Sequence, residues 1–247
     1  MKKPLQYTII GLIWLVIWQA LSVFIGYEIL LPGPWQVLKT LGVLTRDPLF
    51  WQSVISSMMR IILGFLLGLV LGCFLAVLTT VSSWCKAFFT PLMGVIKATP
   101  VASFIILALV WLATGHISVF TAFLIVLPVV WSNVFTGIAE TDEKLLEMAH
   151  AFQVTRKNLF FKLYLPSVQP FFVAAITASM GMAWKAGIAA EVICNPPNSI
   201  GGALYDAKIY LDTPELFAWT GVVILLSVIL EKILISFISS HKGGAGL

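Results

Sequence analysis

The stretch Glu140–Pro166, ETDEKLLEMAHAFQVTRKNLFFKLYLP, decides how the rest of the chain is read. It holds eight charged side chains (Glu140, Asp142, Glu143, Lys144, Glu147, Arg156, Lys157 and Lys162), and no other stretch of its length is as dense in charge. At helical spacing, Leu145, Met148, Ala149 and Phe152 form a short apolar face. A turn around Gln153-Val154-Thr155 follows. A second short helix with Leu159, Phe160, Leu163 and Tyr164 is expected to stop before Pro166, because proline lacks a backbone donor and its ring crowds the carbonyl four residues back. Two short amphipathic helices joined by a bend, between long apolar segments, make a water-exposed knob too small to fold or catalyse alone. Two readings fit it: a docking surface for another protein, or an interfacial loop whose charges are simply solvated.

Outside that knob the chain is apolar. Of its 247 residues 60% are hydrophobic and 11% charged, against about 25% charged in an ordinary soluble domain. The chain therefore reads as an all-α integral membrane protein without a soluble domain. No GxxxxGK[ST] phosphate loop is present, so any energy the protein uses has to come from a partner or a gradient. Cys73, Cys85 and Cys194 have no metal-ligand spacing, His116, His150 and His241 are scattered, and no metal site is expected. The net charge of +4 comes without an aromatic-interleaved basic patch, so nucleic-acid binding has no support.

About six spans are expected. Tyr7–Gly26 is the first, long enough to cross at about twenty residues; a signal peptide with a cut near Ala20-Leu21-Ser22 is the competing reading, disfavoured because the apolar run continues beyond it. Leu31-Pro-Gly-Pro34 breaks the chain before a short interfacial helix, Trp35–Leu44. Val54–Val81 is the second span, about 42 Å if helical. Its Gly64, Gly68 and Gly72, with Ser57 about two turns earlier, make a stripe on which another helix can pack closely. Cys85–Leu112 is the third, with a kink or break expected near Thr99 because Pro100 interrupts it. Ile117–Ile138 is the fourth. Val168–Ile193 is the fifth, and carries a second close-packing face, Ala175, Ser179, Ala183 and Gly187. A turn-rich loop over Asn195–Gly202, a short helix over Ala203–Leu211, the sixth span Leu216–Ile238 and a disordered tail at Gly243-Gly244 complete the order.

Six spans put both termini on one side. That side, counting the charged knob, collects Lys2, Lys3, Lys86, Lys144, Arg156, Lys157, Lys162, Lys232 and Lys242, against Lys39, Arg46 and Lys208 opposite. The imbalance places the termini and the knob in the cytoplasm. Three cations, Arg60, Lys97 and Lys185, fall within spans, where a charge costs at least about 2.5 kcal/mol at mid-helix and usually faces protein or a watery cavity. Lys97 lies one turn before Pro100. Each also has a structural alternative: Arg60 snorkelling, Lys97 capping the carbonyls of a broken helix, Lys185 pairing with Glu191. Glu191 itself reads either as an exposed interfacial charge or as part of an extracytoplasmic gate.

With these residues in view, the knob resembles the EAA loop of ABC importer permeases, carried by Glu147, Ala149, Leu165 and Pro166. Two positions depart from that pattern: Met148 replaces the first alanine and Gln153 the usual turn glycine, so Gln153 has to avoid positive φ or occupy it at a cost. Further fragments are similar to the nitrate/sulfonate/taurine group of type I ABC importer permeases: Leu31-Pro-x-Pro34; Ser57, Arg60, Gly64 and Phe65; Lys97-Ala-Thr-Pro100 and Trp111; Ala183-Trp184; Ala190-Glu191; Ile200-Gly201. The similarity covers residues 31–234 of what reads as one transmembrane domain, 1–247, with the coupling loop at 140–166.

The resemblance implies a homodimer in a bacterial cell membrane, with two cytosolic ABC ATPase subunits and an extracytoplasmic solute-binding protein. ATP and magnesium would sit on the ATPases; this chain would bind no cofactor and catalyse nothing. Glu147, Leu145, Met148, Ala149, Phe152, Gln153, Leu165 and Pro166 would couple to the ATPase. Arg60, Lys97, Pro100, Trp184, Lys185 and Glu191 are candidates for the pathway or gate, which would carry a small polar solute, with anions favoured by the cations. A six-span secondary carrier or channel is the alternative, though no internal repeat supports a carrier. A membrane-embedded enzyme finds no catalytic constellation.

Overall fold

A computed structural model describes residues 2–242, and every regular element among them is helical. In chain order these are α1 (Lys2–Ile25), α2 (Pro34–Leu44), α3 (Pro48–Val81), α4 (Ser83–Ala98), α5 (Val101–Ala108), α6 (Thr114–Ala139), α7 (Glu143–Ala151), α8 (Arg156–Leu159), a π-helical segment (Phe160–Tyr164), α9 (Leu165–Cys194), α10 (Ile200–Ile209) and α11 (Thr213–Lys242). Five of the helical segments are long and apolar enough to cross a membrane, and α4 with α5 makes a sixth if that bent pair is one span. The Gly243-Gly244 tail lies outside the described residues.

Pro100 breaks the third apolar run as proline chemistry requires. Thr99 is forced into extended geometry (φ −78°, ψ 129°) because the following ring excludes the helical region, and α4 and α5 meet at 100°. The Thr99 hydroxyl returns to the Val95 carbonyl at 2.8 Å, giving that α4 carbonyl a second donor beside the Thr99 N–H.

Several boundaries differ from the sequence reading, and three of them have a clear local cause. The second span begins at Pro48, not Val54: Asp47 accepts from the Leu49 N–H at 2.9 Å and Pro48 occupies the first helical position, where its missing donor costs nothing. The helix expected over Ala203–Leu211 instead runs Ile200–Ile209, because the Ser199 hydroxyl caps the Gly202 N–H at 2.9 Å and draws both glycines into the first turn. The third correction is at Pro166. The helix does not stop there but runs unbroken from Arg156 to Cys194. Leu165 N–H donates to Phe160 O, five residues back, and this wider π turn gives the proline ring the room that α geometry denies it.

The helices divide into two compact units. The first comprises Met1–Ser57 and Glu191–Leu226. Here the Leu31–Pro34 turn folds back on α1: the Trp18 indole donates to Pro32 O at 3.0 Å and the Ser22 hydroxyl to Leu31 O at 2.9 Å. Phe50 stacks on Trp219 at 4.7 Å, and the Thr213 hydroxyl donates to Ile29 O at 2.6 Å.

The second unit comprises Met58–Ala190 and Ser227–Leu247, and α6 is its most buried helix. The stripe Gly64, Gly68 and Gly72 lies against α6. A Cβ on these glycines would stand 2.2 Å from Val119 O, 2.7 Å from Val126 Cβ and 2.9 Å from Val130 Cβ respectively, so only hydrogen fits and the two backbones touch. The Trp131 indole donates to the Thr79 hydroxyl at 3.1 Å, and Lys86 Nζ lies 5.0 Å above the Phe135 ring. On α9, Ala175, Ser179, Ala183 and Gly187 are all buried, and a Cβ on Gly187 would come within 2.5 Å of the Ile61 side chain.

Candidate functional site

The charged loop is built by caps at both ends of α7. Asp142 accepts from the Lys144 N–H at 2.8 Å, opening the helix where a carboxylate also meets the positive end of its dipole. At the other end Gln153 stands at φ 51°. Its N–H bonds to His150 O at 3.0 Å, and the Val154 N–H reaches Ala149 O at 2.9 Å. That pair of bonds is the Schellman closure, and Gln153 accepts the left-handed cost, about 1 kcal/mol, that glycine would avoid. The bend is therefore the glycine-type bend made without glycine.

No residue of α7 is buried. Met148 is 51% and Phe152 77% exposed, and Leu145, Glu147 and Gln153 are exposed with them. Ala149 is half-buried. The apolar face of Leu145, Met148 and Phe152 thus lies uncovered on a loop dense in charge. Leu165 and Pro166 do not end this loop; they begin α9 as part of the same continuous helix.

At the far end of α9 stands a different arrangement. Glu191 is 0% exposed, which excludes the exposed interfacial charge. Its Oε2 accepts from the Ser57 hydroxyl at 2.6 Å and from the Gly201 N–H at 3.2 Å. The Ser57 oxygen in turn accepts from the Ile200 N–H at 2.9 Å. Together with Ser199, these groups satisfy the first three N–H groups of α10, donors that helix geometry leaves without partners. Gly201 allows it: a Cβ there would stand 2.3 Å from Glu191 Cβ and 2.5 Å from Val192 N. Fragments noticed separately in the sequence, Ser57, Glu191 and Ile200-Gly201, meet at one point. The sequence reading took Ser57 for a packing residue; its hydroxyl is the bridge.

The pathway candidates separate. Trp184 is 1% exposed, so its indole lines no open surface of the chain. Lys185, the next residue, is exposed. Lys97 is exposed in the last turn of α4, immediately before the Thr99-Pro100 break. Arg60 is half-buried on α3. One feature went unnoticed in the sequence, a cavity of about 550 Å3 beside α10 whose lining includes Asp47, Asp206, Asp212 and Glu215. Three of these acids have internal work, with Asp47 and Asp212 capping helices and Glu215 accepting from the Trp219 indole.

Residues 64–241 match the family model of the binding-protein-dependent transport system inner membrane component. The chain belongs to this family. A Bacillus subtilis permease protein named for aliphatic sulfonates transport, SsuC, is 26% identical over 242 residues, covering 93% of this chain and 86% of its own. The nitrate import permease protein NrtB of Synechococcus elongatus is 25% identical over 218 residues, covering 84% and 77%. The fold is similar to that of an amino acid ABC transporter crystallised with histidines, with a TM-score of 0.64, 17% identity, and 82% of this chain against 96% of the other covered. The chain is the permease subunit of an ABC importer, a multi-pass membrane protein of a binding-protein-dependent transport family. Family membership sets aside the secondary carrier and the channel.

Proposed function

We propose that the permease pairs with a second copy of itself and docks two cytosolic ABC ATPase subunits on α7, while an extracytoplasmic solute-binding protein delivers solute at the opposite side. The α7 face carries this reading. Leu145, Met148 and Phe152 are uncovered in a segment too charged for lipid, and a membrane helix rises from the same loop without a break. An apolar anchor beside Glu147 suits a groove that offers donors to the carboxylate. The excess of Lys and Arg on the side of the knob supports cytoplasmic termini. The whole chain, 1–247, then acts as one non-catalytic transmembrane domain, and ATP and magnesium sit on the ATPases.

For the solute, two of the relatives are named for oxyanions, sulfonates and nitrate, and Lys97 and Lys185 stand exposed on membrane helices. Both support a small anion. The test is purification of the permease with the ATPase and solute-binding protein encoded beside it, then uptake assays. Copurification of the ATPase is the expected result. Lys97→Gln and Lys185→Gln each reduce uptake of an anionic ligand by about tenfold, the scale of a single charge-assisted hydrogen bond. A neutral or cationic ligand carried equally by both variants rejects the anion.

A further inference from the structure

The joint at Glu191 joins elements far apart in sequence. Ser57 on α3, Glu191 on α9 and the first turn of α10 share three hydrogen bonds of 2.6–3.2 Å. Buried bonds of this kind cannot be exchanged for water, so opening the joint costs the full desolvation of every group left behind. The α9–α10 connection is equally stiff. It is five residues long, Asn195–Ser199, with Pro196 and Pro197 inside it and Asn195 and Asn198 at φ 45° and 49°. Gly201 brings the α10 backbone against the stem of Glu191 itself. Helix α10 is therefore fixed to the end of α9 by covalent, steric and polar means together. At its other end, α9 continues the helix that starts at Arg156, 39 residues in all, or about 58 Å.

We propose that Ser57 and Glu191 are positioning residues that lock α10 to α9, so that the solute-binding protein, in docking on the α10 side, acts on the same helix that leaves the ATPase-docking loop. This rests on the permease reading given above. Glu191 is on this view a rigid fastening and neither a ligand for solute nor a gate charge.

The test is the ATPase activity of the complete importer in lipid nanodiscs, with and without the solute-binding protein. In Ser57→Ala and Glu191→Ala the complex assembles, basal hydrolysis stays within about twofold, and stimulation by the binding protein falls about tenfold, the scale of a single buried hydrogen bond. Glu191→Gln restores stimulation, because its carbonyl oxygen still accepts from Ser57 and Gly201. Three results overturn the proposal: normal stimulation in both alanine variants, a glutamine variant as impaired as the alanine one, or failure of both alanine variants to assemble, which makes the joint a folding element only. Failure of the permease reading is distinguishable, since the wild-type chain would then recruit no ATPase.

Discussion

Glu147 and Glu191 stand near opposite ends of the segment formed by α7, α8 and α9, and the chain treats them in opposite ways. Glu147 lies on a helix with no buried residue, beside an uncovered apolar face. Glu191 is fully buried, with hydrogen bonds from Ser57 and Gly201. A carboxylate two residues before an alanine, Glu147-Met148-Ala149, and one directly after two, Ala189-Ala190-Glu191, differ little as local sequence. What separates them is whether the chain supplies its own donors. At Glu191 it does, and the region is closed. At Glu147 it does not, no residue of α7 is buried, and the proposed ATPase partner would complete the region.

The sharpest way to break this contrast is Gly201→Val. The new side chain begins 2.3 Å from Glu191 Cβ and 2.5 Å from the backbone of Val192, so backbone has to move, and a loss of about 3 kcal/mol or more is expected. Thermal denaturation in detergent would show it as a clear fall in midpoint, with reduced yield. Next in size is Glu147→Lys, which should lower uptake at least about tenfold by placing the wrong charge at the proposed ATPase interface. Its denaturation midpoint should match wild type, since Glu147 is exposed on a helix with no buried residue. If that midpoint falls instead, the loop is held by internal contacts and the contrast fails. The smallest effect belongs to Gln153→Gly. Relief of the left-handed cost, about 1 kcal/mol, is partly cancelled by the greater freedom of glycine in the unfolded chain. Slightly slower proteolysis of the loop and unchanged transport are expected, whereas Gln153→Val should speed cleavage.

Much of the architecture was legible because lipid imposes a simple rule, long apolar helices with charge kept out. The break at Pro100 was legible for a local reason, the steric conflict between a proline ring and the residue before it. Pro166 misled for the same local reason. The conflict is real, but a π turn resolves it, and nothing in residues 156–165 announces that choice. The start of α3 was legible in principle, since Asp47-Pro48 is a cap followed by a first-turn proline. In the loop, the apolar face and the departure at Gln153 could be read directly. The joint could not. Ser57 is 134 residues from Glu191, and its regular distance from the glycine stripe made packing the natural interpretation.

That glycine stripe also bears on how the protein is made. Gly64, Gly68 and Gly72 find their seat on residues 119–130 of α6, and the whole of α4 and α5 is synthesised in between. In order of synthesis α3 is therefore complete before the helix that covers its tightest-packing face has been made. A polar face would spend that interval seeking hydrogen bonds from whatever lay nearby. Bare backbone carries no side-chain donor to exchange, and its close-packing surface is covered once α6 is in place.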